Sequence, residues 1–378
     1  MQDRAALGAA DVADDQLSVL VADLWRVERV FLLSSRAERV DYDVPSITTA
    51  SRTWVTGLAE DGTGPREFRF FVKVVQNWRH SPMFESVPPA VRDWAAASVP
   101  WQAEPLLYSS RLADTLPEAL RMPRALAVRD LHDEARAIWL EAVDTVEDPW
   151  DIDTYTEAAF LLGRLSGRDA VREFADLDPL PWSIGSYVEG RLAHGVLPFV
   201  LADEPWQHPA VAATFSTALR DRARAAVARL DELAAEFRAL PHTTAHGDAA
   251  PGNLLRADGQ PGFVLIDYGF WRPQPYGHDL GQLLVGDLQL GKRSADGLAA
   301  LDAAITEAYA AGLRAEGDET PVEVVRRGHA VSMLIFSGLS ALPIEMLDEP
   351  DSPELRALFA ARAAMAAYSL DLLELTDA

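Results

Sequence analysis

Cysteine is absent from the 378 residues, which excludes disulfides and thiolate zinc sites. Lysine is almost missing too: Lys73 and Lys292 are the only ones, and the other strong bases are all Arg. No apolar run is long enough to span a bilayer. The longest, from Ala330 to Leu342, is broken by Ser332, Ser337, Gly338 and Ser340 and falls short of the roughly 18 residues required, so it reads as a buried helix. The start, Met1-Gln2-Asp3-Arg4-Ala5, lacks a basic region followed by a continuous apolar one, so no signal peptide is expected and a cytoplasmic location is. Positive charge is scarce overall. A net charge of −24 and a sequence pI of about 4.6 disfavour nucleic acid and anionic membranes as partners. Such a field suits a cationic small substrate, and it equally serves solubility. The length is enough for a full core and two lobes.

The most informative segment present is His246-Gly247-Asp248-Ala249-Ala250-Pro251-Gly252-Asn253, followed by Phe263-Val264-Leu265-Ile266-Asp267-Tyr268-Gly269. A helix leads in, a turn holds an Asp and an Asn in D-x-x-x-x-N spacing, and an apolar strand ends at a second Asp. Asp-Gly and Pro-Gly pairs are ordinary turn material when met singly. Together, however, these residues supply what phosphoryl transfer needs, which is mainly alignment of two oxygens and neutralisation of phosphate charge. Asp267 and the amide oxygen of Asn253 make a partial shell of hard oxygens for Mg²⁺. Asp248 is then left to orient the acceptor hydroxyl and take its proton late, because a carboxylate with a pKa of about 3.9 is too weak to strip an alcohol outright. A metal hydrolase built on His242, His246 and Asp248 is disfavoured, since Pro241 opposes the helix that would align the two imidazoles.

The first third of the chain reads as a helix followed by strands. Leu17, Leu20, Val21, Leu24 and Val27 recur at helical spacing and predict an amphipathic helix over 15–33 capping a small lobe. Strands are expected at 39–44, 53–58 and 68–75 in meander order, and at 124–128 and 137–141, making five. Lys73 lies inside the third of these. Protein kinases carry a Lys on their third strand to pair with the α and β phosphates, held by a Glu from the next helix. Glu104 is the best candidate partner, with Pro105 beside it setting either a kink or a helix start. No G-x-G-x-x-G loop precedes Lys73. The equivalent segment, Ser46 to Arg52, is expected as a polar turn whose amides and hydroxyls, that of Ser51 included, cradle phosphate. Residues 141–144, with Glu141 and Val143, are expected to be a hinge meeting the adenine edge. Beyond it helices dominate: one capped by Asp153, then a single uninterrupted helix over 209–240 that delivers the catalytic loop.

The set Lys73, Glu104, His246-Gly247-Asp248, Asn253, Asp267 and Tyr276-Gly277-His278-Asp279-Leu280 resembles the aminoglycoside phosphotransferase and choline kinase-like superfamily. The resemblance runs from about Val40 into the C-terminal helices. It implies an α+β, bilobal, protein-kinase-like fold, with a five-stranded antiparallel sheet in a small N-terminal lobe and a larger, mainly helical C-terminal lobe. It places a nucleotide-binding lobe with a helical cap at 1–140, and a catalytic and acceptor-binding lobe at 141–378. Also implied are ATP, or alternatively GTP, as donor, Mg²⁺ on Asn253 and Asp267, Asp248 facing the acceptor hydroxyl, and Asp279 bracing the loop. Lys73, Glu104, Ser51, Glu141 and Val143 are the expected nucleotide-binding residues. The expected activity is transfer of the γ-phosphate to a hydroxyl of an aminoglycoside-like or aminosugar acceptor by a monomer or homodimer. A neutral sugar or other metabolite kinase, and a non-catalytic kinase-like binding protein, are the alternatives.

Overall fold

The computed structural model describes residues 2–40 and 46–377. The chain forms two compact units. One comprises Met1–Thr115, Arg121–Thr145 and Leu177–Pro181; the other comprises Leu116–Leu120, Val146–Asp176 and Trp182–Ala378.

The first unit is built on a six-stranded sheet. Its strands are β1 (Gln2–Asp3), β2 (Phe31–Arg39), β3 (Thr49–Glu60), β4 (Pro65–Gln76), β5 (Ala125–His132) and β6 (Ala135–Glu141), in the order β1-β2-β3-β4-β6-β5. Five of them pair antiparallel, as the sequence predicts. The two-residue β1 adds a parallel edge on β2 that has no hydrophobic pattern to announce it. Alternation explains the packing, because successive side chains point to opposite faces. Val55, Phe70, Val72, Val74 and Trp139 bury against helix α1 (Asp14–Trp25) through Leu17, Leu20 and Val21, so this helix does cap the sheet. Lys73 consequently stands on the face opposite Val72 and Val74, in register with Ile138 of β6.

Three boundaries differ from the sequence reading. The helix expected over 15–33 stops at Trp25, where Arg26 takes a left-handed φ of 56° and ends the hydrogen-bond ladder, and Phe31–Leu33 open β2 instead. The strand expected at 39–44 lies one step later than β2, and its residues 41–44 fall outside the described residues. The polar turn expected up to Arg52 is shorter, since Thr49 already begins β3 and Ser51 pairs with Val74 beside a register shift.

In the second unit, α3 (Ile152–Gly167), α6 (His278–Gln289), α7 (Leu298–Ala315), α8 (Val322–Met333) and α9 (Pro353–Thr376) carry most of the core, with α4 (Thr217–Ala228) and α5 (Leu230–Ala239) between α3 and α6. Helix α2, in the first unit, is Ala103–Tyr108. The cap of α3 is Asp151 rather than Asp153, its carboxylate accepting from the Thr154 N–H at 2.9 Å. The helix expected over 209–240 is broken: Ser216 caps α4 through the Leu219 N–H, and Arg229, outside helical geometry, separates α4 from α5. The apolar spacing is nevertheless kept across the breaks, with Val211, Phe215, Leu219, Ala226, Leu230, Leu233 and Phe237 all buried. The apolar segment from Ala330 continues α8 through a π-helical turn, Leu334–Gly338, and is buried.

Helices α3 and α7 approach so closely that a Cβ on Gly163 would lie 2.1 Å from the Tyr309 carbonyl oxygen, and one on Gly312 would lie 2.0 Å from that of Phe160. That crossing fixes α3, which in turn holds the strand leading to the loop of Asp248. Ser166 Oγ donates to the Thr244 carbonyl at 2.9 Å, and Thr243 Oγ1 donates back to the Ser166 carbonyl.

Candidate active site

The segment around Asp248 is held by two short antiparallel pairs. Strand β7 (His242–Ala245) pairs with β10 (Arg272–Pro275), and β8 (Leu254–Leu255) pairs with β9 (Phe263–Leu265). The register Leu254 to Leu265 brings the residues just outside it together, and the Ile266 N–H donates to the Asn253 carbonyl at 3.1 Å. Asn253 and Asp267 are thereby placed at neighbouring ends of one hairpin.

The side chains then constrain one another. The Asn253 amide nitrogen donates to both the backbone carbonyl of Asp248, at 2.8 Å, and its carboxylate Oδ2, at 3.0 Å. Because both partners are acceptors, the amide must present its NH₂ to them, which turns its oxygen the other way. Asp267 has φ 63° and ψ 67°, a left-handed conformation uncommon outside glycine and tolerated best by Asp and Asn. Holding it costs of order 1–3 kcal/mol, so the surrounding structure must fix it. His246 is fully buried and bridges the two halves. Its Nδ1 accepts from the Asp248 N–H at 3.4 Å, which leaves Nε2 protonated to donate to the Ile266 carbonyl at 3.0 Å. Asp248, Asn253 and Asp267 are all partly exposed.

Asp279, at the start of α6 and 1% exposed, grips the loop from below. Its Oδ2 accepts from the His246 N–H at 2.9 Å and its Oδ1 from the Gly247 N–H at 2.8 Å. Burial pushes its carboxyl up to about 6, against the pull of those two N–H groups. Its neighbour His278 is also buried and driven down to about 4 by loss of solvent. Gly247 can be nothing else: its φ is +85°, and a Cβ would sit 2.0 Å from the Phe270 carbonyl oxygen. Gly286 of α6 is small for a related reason, a Cβ there meeting that of Ala250 at 2.8 Å.

In the first unit, Lys73 Nζ and Glu104 Oε2 are 2.6 Å apart and both residues are 3% exposed. Pro105 lies in the first turn of α2, where a missing N–H is harmless, so the helix begins at Ala103, just before Glu104, rather than kinking there. Asp178 fixes that start by accepting from the Gln102 and Ala103 N–H groups at 2.6 and 2.9 Å. Glu141 closes β6 with its carboxylate engaged by Arg121 Nη1 at 3.0 Å and the Arg124 N–H at 3.1 Å, while its own N–H donates to the Arg124 carbonyl. Val143 follows it in irregular backbone. Anchors that the sequence reading left without a role are Ser166 and Thr243, which belong to no spaced motif.

The family model for the phosphotransferase enzyme family matches residues 59–319, well over half of the chain and containing every element of this loop. The protein belongs to that family. It is therefore a phosphotransferase acting on a hydroxyl group of a small molecule, as the D-x-x-x-x-N spacing led us to expect. Solved structures similar to this phosphotransferase include the amicoumacin kinase hAmiN in complex with AMP-PNP, Ca²⁺ and Ami, at 12% identity over 90% of this chain and 88% of that one with a TM-score of 0.47. An aminoglycoside phosphotransferase from Alicyclobacillus acidocaldarius matches at 16% over 98% and 99%, TM-score 0.45. The Plasmodium vivax ethanolamine kinase matches at 11% over 89% and 82%, TM-score 0.42. The search of curated proteins returned no match. Among the described residues, no helix is long and apolar enough to cross a membrane.

Proposed function

We propose that this phosphotransferase moves the γ-phosphate of ATP, or alternatively GTP, to a hydroxyl of an aminoglycoside-like or aminosugar acceptor. The observation that carries the proposal is the double hydrogen bond from the Asn253 amide to Asp248, which commits its nitrogen to the carboxylate and leaves its oxygen for a cation. With Asp267 it offers the hard-oxygen partial shell that suits Mg²⁺. The metal, when bound, screens the charge of the phosphates.

Each residue then has a task that its surroundings support. Asp267, locked in a left-handed backbone, and Asn253 hold the cation. Asp248, its Oδ2 anchored by Asn253, orients the acceptor hydroxyl and receives its proton as the bond to phosphorus forms. Lys73, kept in place by Glu104, holds the α and β phosphates, and Ser51 adds a hydroxyl from β3. Glu141 and Val143 meet the adenine edge; since the Glu141 N–H is already bonded to Arg124, Val143 is the backbone donor of the two, and the Glu141 carboxylate braces the end of the strand. Residues 1–140 would serve the nucleotide and 141–378 the catalysis and acceptor, in a cytoplasmic monomer or homodimer.

The acceptor class rests on charge. A net −24 favours a cationic ligand. One observation favours a neutral sugar instead: Glu345, in the acidic stretch running to Asp351, is taken up by Arg362. A phosphate-transfer screen against aminoglycosides, aminosugars and neutral sugars decides between them. Run in parallel, Asp248→Asn should lower turnover by roughly 10²-fold or more while nucleotide affinity is kept. Near-normal turnover in that variant overturns the role of Asp248, and turnover of neutral sugars alone overturns the acceptor class.

A further inference from the structure

Helix α2 carries Glu104 but has little of its own to hold it in place. It is six residues long, and helices shorter than about 12 residues are marginal without outside support. Its N-cap residue, Gln102, makes no side-chain capping bond. The support comes from far along the chain. Asp178 Oδ2 accepts from the Gln102 N–H at 2.6 Å and from the Ala103 N–H at 2.9 Å, across 76 and 75 residues of sequence. Those are two of the four N–H groups that a helix start leaves without a partner in the helix, and Pro105, the third helical residue, has none to satisfy.

The segment that delivers Asp178 is stiff. Pro179 and Pro181 each lock their own φ and press Asp178 and Leu180 towards extended backbone. Asp178 Oδ1 accepts from the Leu180 N–H at 2.9 Å, which fixes the carboxylate and leaves Oδ2 to meet α2. These residues, Leu177–Pro181, belong to the first unit although the chain on both sides of them belongs to the second. What they hold lies one residue from the ion pair. Ala103 precedes Glu104, whose carboxylate is 2.6 Å from Lys73 Nζ, both residues being 3% exposed.

We propose that Asp178 is a positioning residue for the nucleotide phosphates: by pinning the first turn of α2 it sets where Glu104 holds Lys73, and so where the Lys73 ammonium meets the α and β phosphates. This rests on the reading of Lys73 given above and adds to it a residue outside every spaced motif. Its effect passes through α2, not through contact with the nucleotide. With the cap removed, binding of the phosphates has to restore an order that Asp178 now supplies, and shifts of about 1 Å matter in such alignment.

Titration calorimetry with Mg·ATP and, separately, with adenosine tests this on the full chain, using the unaltered protein, Asp178→Ala, Asp178→Asn and the paired replacement Lys73→Met with Glu104→Leu. Asp178→Ala should weaken Mg·ATP by about fivefold or more, within the range that loss of a helix cap allows, and adenosine by less than about twofold. Asp178→Asn keeps a capping oxygen and should stay within about twofold of the unaltered protein for both ligands. The paired replacement should weaken Mg·ATP and spare adenosine. Should Asp178→Ala fail to fold by circular dichroism, Asp178→Ser, too short to reach both amides, carries the same comparison. Equal weakening of Mg·ATP and adenosine, unchanged Mg·ATP affinity without the carboxylate, or no rescue by Asn overturns the proposal. Undiminished Mg·ATP affinity in the paired replacement instead refutes the reading of Lys73, and the role of Asp178 falls with it.

Discussion

Asp279 and His278 are adjacent, both buried at the start of α6, and shifted in opposite directions, so their effects on stability oppose each other. Asp279 is raised from 3.8 to about 6, so the folded chain keeps a proton that the unfolded chain has lost; its contribution is present below about pH 4 and is lost as pH rises to about 6. His278 is lowered from 6.5 to about 4, so its contribution is present above about pH 6.5 and is lost as pH falls to about 4. Each slope approaches about 1.4 kcal/mol per pH unit, and over the shared window they cancel. Urea unfolding of Asp279→Asn should therefore show stability increasing with pH between about pH 4 and about pH 6, and His278→Asn should show it decreasing. Slopes of the same sign in both variants would contradict this account. Asp279→Asn should also lose about 1–3 kcal/mol, because an amide has only one acceptor oxygen for the two N–H groups of His246 and Gly247.

Among the elements, β4 and α2 are joined by a buried ion pair whose worth to stability is small and whose members are costly to separate. Lys73→Met or Glu104→Leu alone takes this partner from a charge that is 3% exposed and should destabilise by about 3–5 kcal/mol, whereas the double replacement should be milder than the sum. Denaturant unfolding of the three variants checks this, and additive losses would refute it. That pair was legible in the sequence because Lys is so rare and sits in an apolar strand. The spacing from Asp248 to Asn253 to Asp267 was equally legible, because covalent distance and strand register fix it. Boundaries were less so. The apolar rhythm of 209–240 survives two breaks, since Ser216 and Arg229 interrupt the helix without disturbing which residues face inward. The end of α1 at Arg26 depends on a left-handed backbone, which side-chain periodicity does not register. Likewise β1 exists only by pairing, and Asp178 meets Gln102 and Ala103 only through folding across a long stretch of chain.

At the scale of the whole molecule, 58 acidic against 34 basic side chains leave a repulsive field that the folded state must bear. Raising ionic strength from about 0.01 M to about 0.15 M shortens the screening length from about 30 Å to about 8 Å and should raise the melting temperature. A fall over that range would show that attractive surface pairs dominate. The central claim is that Asn253 and Asp267 hold a divalent cation on the nucleotide phosphates beside Asp248. Thermal unfolding with ATP, with and without Mg²⁺, on the unaltered protein and Asp267→Asn tests it most directly, because Asn keeps the left-handed backbone while removing the charge. At about a hundredfold excess over its Kd, bound nucleotide should stabilise the unaltered protein by about 2.7 kcal/mol only when Mg²⁺ is present, and the variant should lose that metal-dependent part while keeping its ligand-free melting point. An equal Mg²⁺-dependent shift in both proteins, or none in the unaltered one, would contradict the account.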